Sequence, residues 1–403
     1  MHSKQAISAM VAVGMATGAV AIGCSDATIT ISSPADATTL ASCDTVKGDV
    51  VIATGAGSTI DFSGDLTSIG GDLTCQHNGG LIQLSSTSLE SIGGAFHLEN
   101  ITMMSTLKFT ALESVGSISW QSLTALGELT FGTPGVTKAE SVVIADTFLS
   151  SLDGINVRSL TDMNINNNRR LTDFSTQLSN LTNVLNINAN GLNLKVDLPN
   201  LEWIANMTIS NVTSFSAQSL AAVNGSMRFD SNYFESVSFP NLTDVQTGDF
   251  SFVSNPKLAN LTAPLLTKIG GGFIIANNTA LEELNGFAKL ETVGGAVALR
   301  GSFSEISLPA LDDVKGTFTA TSTGDIQDSC DVLDELSSDG GNGDIQGTYA
   351  CTSNNTNANN DTSSTGSTGG GTSNTDSGAF HLSSSISTIV TLASLAAMVS
   401  AFL

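Results

Sequence analysis

Positive charge is scarce in this sequence: 14 Lys and Arg stand against 37 Asp and Glu, a formal charge of −23 at pH 7. A basic patch supplies most of the affinity for nucleic acid, so that balance argues against such a partner. Charge of either sign is sparse, at 13% of residues, and a body of this composition needs another solubilising layer. Histidine is nearly missing too, with four in the chain. His2 and His381 fall in terminal segments expected to be removed, which leaves His77 and His97. A nucleophile–His–acid arrangement therefore has few places to form. No Cys/His cluster has zinc spacing, and Gly270-Gly271-Gly272 lacks the following Lys-Ser/Thr of a phosphate loop. No metal or cofactor is expected.

Long apolar runs are confined to the two ends. Residues 1–23 carry His2 and Lys4 and then run apolar from Ala6 to Ile22, too short to span a bilayer well. This is the pattern of a signal peptide, with Ala19, Ala21 and Gly23 near the cleavage point. Residues 386–403 are apolar and uncharged. A polar spacer precedes them, and before it stand the small residues Ser373, Asn374, Ser377, Gly378 and Ala379. That order is the signal for GPI attachment, at Asn374 or Ser377, with residues 378–403 as the discarded propeptide. A membrane helix would be held by Lys or Arg on the cytoplasmic side, and none follows the run. Residues 352–377 are almost all Ser, Thr, Gly, Asn and Asp, a flexible stalk too polar to build a core. The folded part is then residues 24–351.

Asn-X-Ser/Thr sequons supply the missing solubilising layer. They occur at Asn100, Asn180, Asn206, Asn211, Asn224, Asn241, Asn260, Asn277, Asn354 and Asn360; their number in a secreted chain points to a glycan-bearing surface. Of five cysteines, Cys24 and Cys43 lie at the start of the folded part and Cys330 and Cys351 at its end. In an oxidising compartment, Cys24–Cys43 and Cys330–Cys351 would staple the two ends, although spacing alone leaves the connectivity open. Cys75 is left over.

The main signal is a repeat. An apolar residue followed by a Gly-type turn recurs at Ile69, Ile92, Val115, Val223, Ile269, Val293 and Val314. The steps 69 to 92 to 115 are 23 each, and from 223 through 245, 269 and 293 to 314 they are 22, 24, 24 and 21. Periods in the twenties belong to leucine-rich-type solenoids. Each turn is followed by period-two alternation, as in Phe96-His97-Leu98, Leu185-Asn186-Ile187 and Phe250-Ser251-Phe252, the mark of a strand with one buried face. One short strand cannot bury that face alone, so the coils must stack into a parallel sheet over a continuous core. Gly is expected at each corner for its access to positive φ.

An asparagine stands three residues after the second inward position: Asn78, Asn168, Asn190, Asn232, Asn255 and Asn278. An apolar residue follows at Leu171, Leu192, Phe234, Leu258 and Leu281. Such amides can satisfy backbone groups at the bend and would form a scaffolding ladder from coil to coil. Helix has little support. The segment around Trp203 and Ile204 is the best candidate, with short helical or 3₁₀ turns expected on the return side of each coil.

These elements together resemble the fungal GPI-anchored cell-wall organisation proteins, whose ectodomain is similar to the L domains of growth-factor receptors. The resemblance rests on Cys43-Asp-Thr-Val-Lys-Gly-Asp-Val-Val-Ile52, Ile69-Gly-Gly-Asp-Leu73, Val115-Gly-Ser-Ile-Ser-Trp120 and Leu152-Asp-Gly-Ile155. It continues in Ile165-Asn-Asn-Asn168, Ala276-Asn-Asn-Thr-Ala-Leu281, Asn285-Gly-Phe287 and the stretch from Cys330 to Gly347-Thr-Tyr-Ala-Cys351. It spans about Cys24 to Cys351, and Cys75 departs from the pattern; at an inward position equivalent to Leu98 it reads as a small buried hydrophobe. The resemblance implies a mainly β, single right-handed solenoid of about a dozen repeats of 20–24 residues. It implies a role in wall organisation and integrity at the outer leaflet of the plasma membrane or in the wall. A GPI lipid anchor would attach it, with wall glucan or other wall proteins as partners, and no catalytic motif is carried over.

The rival is a parallel β-helix carbohydrate enzyme, which would need two carboxylates set across one bond. The candidates are Asp312 with Asp313, and Asp331 with Asp334 and Glu335. The first pair sits at a repeat corner and the second group in a C-terminal cap, so solvated charge accounts for both. A binding face would instead show aligned aromatic or charged residues on outward strand positions. Thr74, His97, Asn164, Asn186, Thr208, Arg228, Ser251 and Ala298 form no such stripe, Trp120 is expected inward and Tyr233 at a coil edge. Arg169-Arg170 reads as a solvent-facing pair.

Overall fold

The computed structural model describes residues 23–339 and 341–359. The signal peptide, the sequon at Asn360, both candidate attachment residues and the apolar tail lie outside these residues. Contacts divide the chain into residues 1–360 and 361–403, and every described residue belongs to the first unit.

Alternating apolar residues dictate the architecture. The chain winds through about 13 turns of a parallel solenoid, and its main sheet contains 22 strand segments. Along it, Leu73 pairs with Phe96, Phe96 with Ile118, Ile118 with Val142 and Val142 with Met163, and the column continues to Phe318. The second inward column runs through Cys75, Leu98, Trp120, Ile144, Ile165 and Ile187. All of these are buried. A single coil leaves its backbone N–H and C=O groups unpaired; the next coil pairs them, so burial and hydrogen bonding require the same stacking. Phenylalanine thickens the core in the middle coils. Phe229 stacks on Phe252 with ring centroids 4.5 Å apart, and Phe250 meets Phe287 edge-on at 5.6 Å. Each such ring contributes roughly 1.5–3 kcal/mol through burial.

The corner glycines serve a different purpose from the one expected. Gly70, Gly93, Gly270 and Gly294 are not among the residues with positive φ. A Cβ on Gly93 would collide with the carbonyl oxygen of Gly70, and one on Gly294 with that of Gly270. These glycines are needed because successive coils approach each other closely there. Positive φ belongs to the opposite corner, at non-glycine residues: His77, Asn100, Asn167, Asn211, Ser254 and Asn277 lie between +52° and +62°.

Among the described residues, helices are restricted to the two caps. Helix α1 (Pro34–Leu40) begins with Ser33 as N-cap, whose hydroxyl accepts from the Asp36 N–H, and buries Ala37 and Leu40. The disulfide Cys24–Cys43 closes this end. Helix α2 (Gln327–Asp334) buries Cys330 and Leu333, and Cys330–Cys351 ties it to the last strand, Tyr349–Thr352. Two expectations of helix are therefore overturned. Trp203–Ser210 is a strand of the main sheet, because Ile204, Met207 and Ile209 are drawn into the core while Asn206 and Thr208 face away. The return side also forms short parallel strands, among them Gln83–Ser86, Thr106–Phe109 and Lys195–Asp197, since each coil there finds backbone partners in the next. Leu192, read as the apolar residue that follows Asn190 in the repeat, is 90% exposed. Gly191 is buried against the backbone of Leu171, and Leu194 takes the inward place.

Candidate functional site

The recurring asparagines form a buried spine. Asn78, Asn168, Asn190, Asn232, Asn255 and Asn278 are all buried. Asn168 accepts from the backbone and hydroxyl of Thr147 and donates to Ile144 O and Asn190 Oδ1; Asn190 donates to Ile165 O at 2.8 Å. Asn232, Asn255 and Asn278 repeat this across three coils. Each of these amides both donates to and accepts from the scaffold and is buried, so the spine presents no surface to a ligand.

Chemistry is then left to the outward face of the main sheet. Its central column runs Thr74, His97, Ser119, Val143, Asn164, Asn186, Thr208, Arg228 and Ser251. Sequence reading left out Ser119 and Val143. Beside it runs a second column: Gln76, Glu99, Gln121, Ala145, Asn166 and Asn188. The Asn-X-Asn doublets 164/166 and 186/188 were the visible signal for this pair of rows.

At one end of the face the structure assembles an acid, a histidine and a hydroxyl whose partnership was not legible in sequence. His97 Nδ1 lies 3.1 Å from Ser119 Oγ, and its Nε2 lies 3.4 Å from Glu99 Oε2 and 2.9 Å from Gln76 Nε2. Gln76 also donates to Glu99 at 3.1 Å. A proton on Nε2 shared with Glu99 leaves Nδ1 to accept from the Ser119 hydroxyl; a Gln76 donor to Nε2 reverses the direction. The strand 114–123 is paired on both sides, so its N–H groups lie in the plane of the sheet. They do not converge above the face, where an oxyanion would need them.

The other titratable groups are locally held. Arg228 meets Asp249 at 3.1 Å, and burial raises the Asp230 carboxyl above its usual range while Arg228 draws it back. Asp313 pairs with Lys315 at 2.9 Å, and Asp331 accepts from Gln327 at 2.7 Å. The two acidic groups suggested for glycoside hydrolysis thus have separate partners. A cleft of about 560 Å³ opens between residues 304–311 and α2, lined by Leu308, Val332, Asp328 and Glu335. Among the described residues, no group of three or more His, Cys, Asp or Glu is placed to hold a metal ion, and no helix is long and apolar enough to cross a membrane. Cys75 is buried opposite Leu98, and burial pushes its thiol up to about 12. Trp120 is fully buried and Tyr233 half-exposed, as expected. Arg169 and Arg170 are exposed, the latter 4.6 Å above the Phe148 ring.

The sequons separate by position. Asn100, Asn211 and Asn277 occupy the positive-φ corner. Asn180 and Asn206 lie on the main sheet, Asn224 at the bend between Ala222–Val223 and Met227–Asp230, and Asn241 and Asn260 are exposed elsewhere on the coils. Asn206 is engaged on both sides, donating to Asn183 O and accepting from the Ser226 N–H.

No family model matches the chain, and no solved structure matches it. Named relatives do. The chain is 37% identical to protein ecm33 of Aspergillus fumigatus over 346 residues, 85% of this chain and 84% of that protein. It is 34% identical to a cell surface GPI-anchored protein of Arthroderma benhamiae, over 80% of this chain and 81% of the relative. It is 31% identical to cell wall mannoprotein PST1 of Saccharomyces cerevisiae, over 74% and 66% of the two chains. Similarity of this extent covers most of the chain, and the chain belongs to the Ecm33-related family of fungal GPI-anchored cell-surface and cell-wall proteins.

Proposed function

We propose that this protein is a non-enzymatic glycoprotein of the fungal cell surface that supports the organisation and integrity of the wall. In this reading residues 1–23 direct secretion, the solenoid spans residues 24–351, and residues 352–377 form the stalk. A GPI anchor replaces residues 378–403 at Asn374 or Ser377. The observation that carries it is the family relationship across the solenoid, together with an outward sheet face whose polar groups bond to one another along the coils. Partners in the wall, glucan or protein, would meet that rigid scaffold from outside. The test is genetic. Loss of the gene should sensitise cells to wall-binding dyes, and the full chain should restore resistance. A chain ending at residue 377 should be secreted into the medium and fail to restore it; full rescue by that chain would remove the anchor from the proposal.

One observation favours a second reading, the ordered contact of Ser119, His97 and Glu99. Incubation with purified wall polysaccharides decides it. New reducing ends that disappear in Ser119→Ala would make the protein a hydrolase, and none should form.

A further inference from the structure

From Ser119 to Ser210 the two outward columns contain no ionisable side chain: Ser119, Val143, Asn164, Asn186 and Thr208 stand beside Gln121, Ala145, Asn166, Asn188 and Ser210. In a chain of net charge −23, such a neutral pair of columns is distinctive; the carboxylate before it on the Ser159–Asn166 strand, Asp162, is held by Asn183 Nδ2 at 2.6 Å. The centre of this band is an ordered amide array. Asn166 Nδ2 donates to Asn164 Oδ1 at 2.9 Å, Asn186 Nδ2 to the same oxygen at 3.3 Å, and Asn188 Nδ2 to Asn186 Oδ1 at 3.0 Å. These bonds hold the four side chains in place, which lowers the entropy lost when a ligand binds. They also leave groups open. Asn164 Nδ2 and the Oδ1 atoms of Asn166 and Asn188 form no hydrogen bond among the described residues, and all four side chains are half-buried on the face.

The array repeats with the coils, at the parallel-strand spacing of about 4.8 Å. A ligand that matches it is uncharged, offers alternating donors and acceptors, and repeats at close to that interval along a straight line. An extended β-1,4-linked hexose chain has those properties. One carrying acetamido groups adds amides that can pair with the asparagine rows as amides pair with one another. We propose that this band binds an uncharged, extended β-1,4-linked polysaccharide of the chitin type, lying along the solenoid axis with about one sugar over each coil. The inference rests on the proposed place of the protein in the wall and gives that role a polysaccharide partner. Hydroxyl and amide groups of the sugar would bond to Asn164, Asn166, Asn186 and Asn188.

The test uses the full chain, expressed through a secretory host and purified as the glycoprotein in detergent, with chitohexaose as probe and titration calorimetry as readout. Wild type should bind saturably and bind laminarihexaose, a curved β-1,3-linked chain, more weakly. Asn164→Ala/Asn186→Ala should weaken chitohexaose about tenfold at an unchanged melting temperature, the effect of losing one to two net hydrogen bonds. Asn166→Asp/Asn188→Asp, which keeps the shape and adds charge, should do the same. Asn200→Ala, which removes only an exposed contact to Gln177, should leave binding intact. Lack of saturable binding by wild type, wild-type affinity in either double variant, or equal affinity for laminarihexaose overturns the inference. None of these results touches the wall-integrity proposal, which stands or falls on the gene-deletion phenotype.

Discussion

Asn278 Oδ1 receives two hydrogen bonds from Asn255, one from its backbone N–H and one from its side-chain amide, each 3.0 Å long, across 23 residues of sequence. Asn255 completes the unit by donating to Phe229 O at 2.9 Å. The same oxygen and amide pattern links Asn232 to Asn255, so each residue is bracketed by the coil before and the coil after.

Asn255→Ala should therefore be among the most costly single substitutions. It removes both bonds that Asn232 donates to Asn255 Oδ1 and strands the buried Asn232 backbone N–H and the Phe229 carbonyl, which lose these partners. The expected loss is about 3 kcal/mol, at 1–3 kcal/mol for each stranded group. Ser254→Ala, on the neighbouring half-buried corner residue, should cost well under that. Thermal unfolding followed by circular dichroism distinguishes them, and equal effects would refute a structural spine.

Glycine substitutions should divide by coil contact. A Cβ at Gly93 meets the Gly70 carbonyl, whereas one at Gly79 meets nothing within 4 Å. Gly93→Ala should lower the melting temperature by several degrees and Gly79→Ala should leave it nearly unchanged. The reverse order would mean that backbone freedom, and not coil spacing, sets the requirement.

At the C-terminal cap, Tyr349 donates its hydroxyl to Cys330 O at 2.8 Å. Burial, reinforced by Asp334 and Asp331, raises its ionisation from 10.0 to about 12. The folded state thus keeps a proton that the unfolded state releases above pH 10, and the associated stability is present below pH 10 and lost as pH rises to 12. Tyr349→Phe should flatten that alkaline decline; an unchanged slope would assign it to other groups.

The cap also depends on Cys330–Cys351, which closes a separation of 21 residues. Cys330→Ala/Cys351→Ala should cost about 3 kcal/mol, through the larger freedom of the unfolded loop. Because solenoid coils interact mainly with their neighbours, the loss should appear as early proteolysis around residues 327–352. Uniform destabilisation of the whole array would contradict a local staple.

Glycan occupancy should follow the side-chain contacts. The exposed Asn224 and Asn260 make no side-chain hydrogen bond among the described residues, whereas Asn206 binds both neighbouring coils. Peptide mass spectrometry should find glycan at the first two and little at Asn206. Full occupancy of Asn206 would show that modification outruns the folding of this coil.

The sequence by itself determined the solenoid. The spacing of Ile69, Ile92 and Val115, the alternation in Phe250-Ser251-Phe252 and the recurrence of Asn232, Asn255 and Asn278 are local patterns whose burial has one economical solution. The paired cysteines at either end and the outward placing of His97 beside Glu99 were legible for the same reason. Only the tertiary structure decided what the coils do to one another. It moved positive φ from the glycines to residues such as His77 and Asn277, and made the glycines a matter of contact between coils. It turned the Trp203 segment into a strand and replaced Leu192 by Leu194, because Gly191 packs against the Leu171 backbone and the chain turns inward only at Leu194. It brought Ser119 to His97 from 22 residues away and set Asn164 beside Asn186. Such neighbours are defined by strand register, and register is fixed when a whole stack of coils buries its apolar face at once.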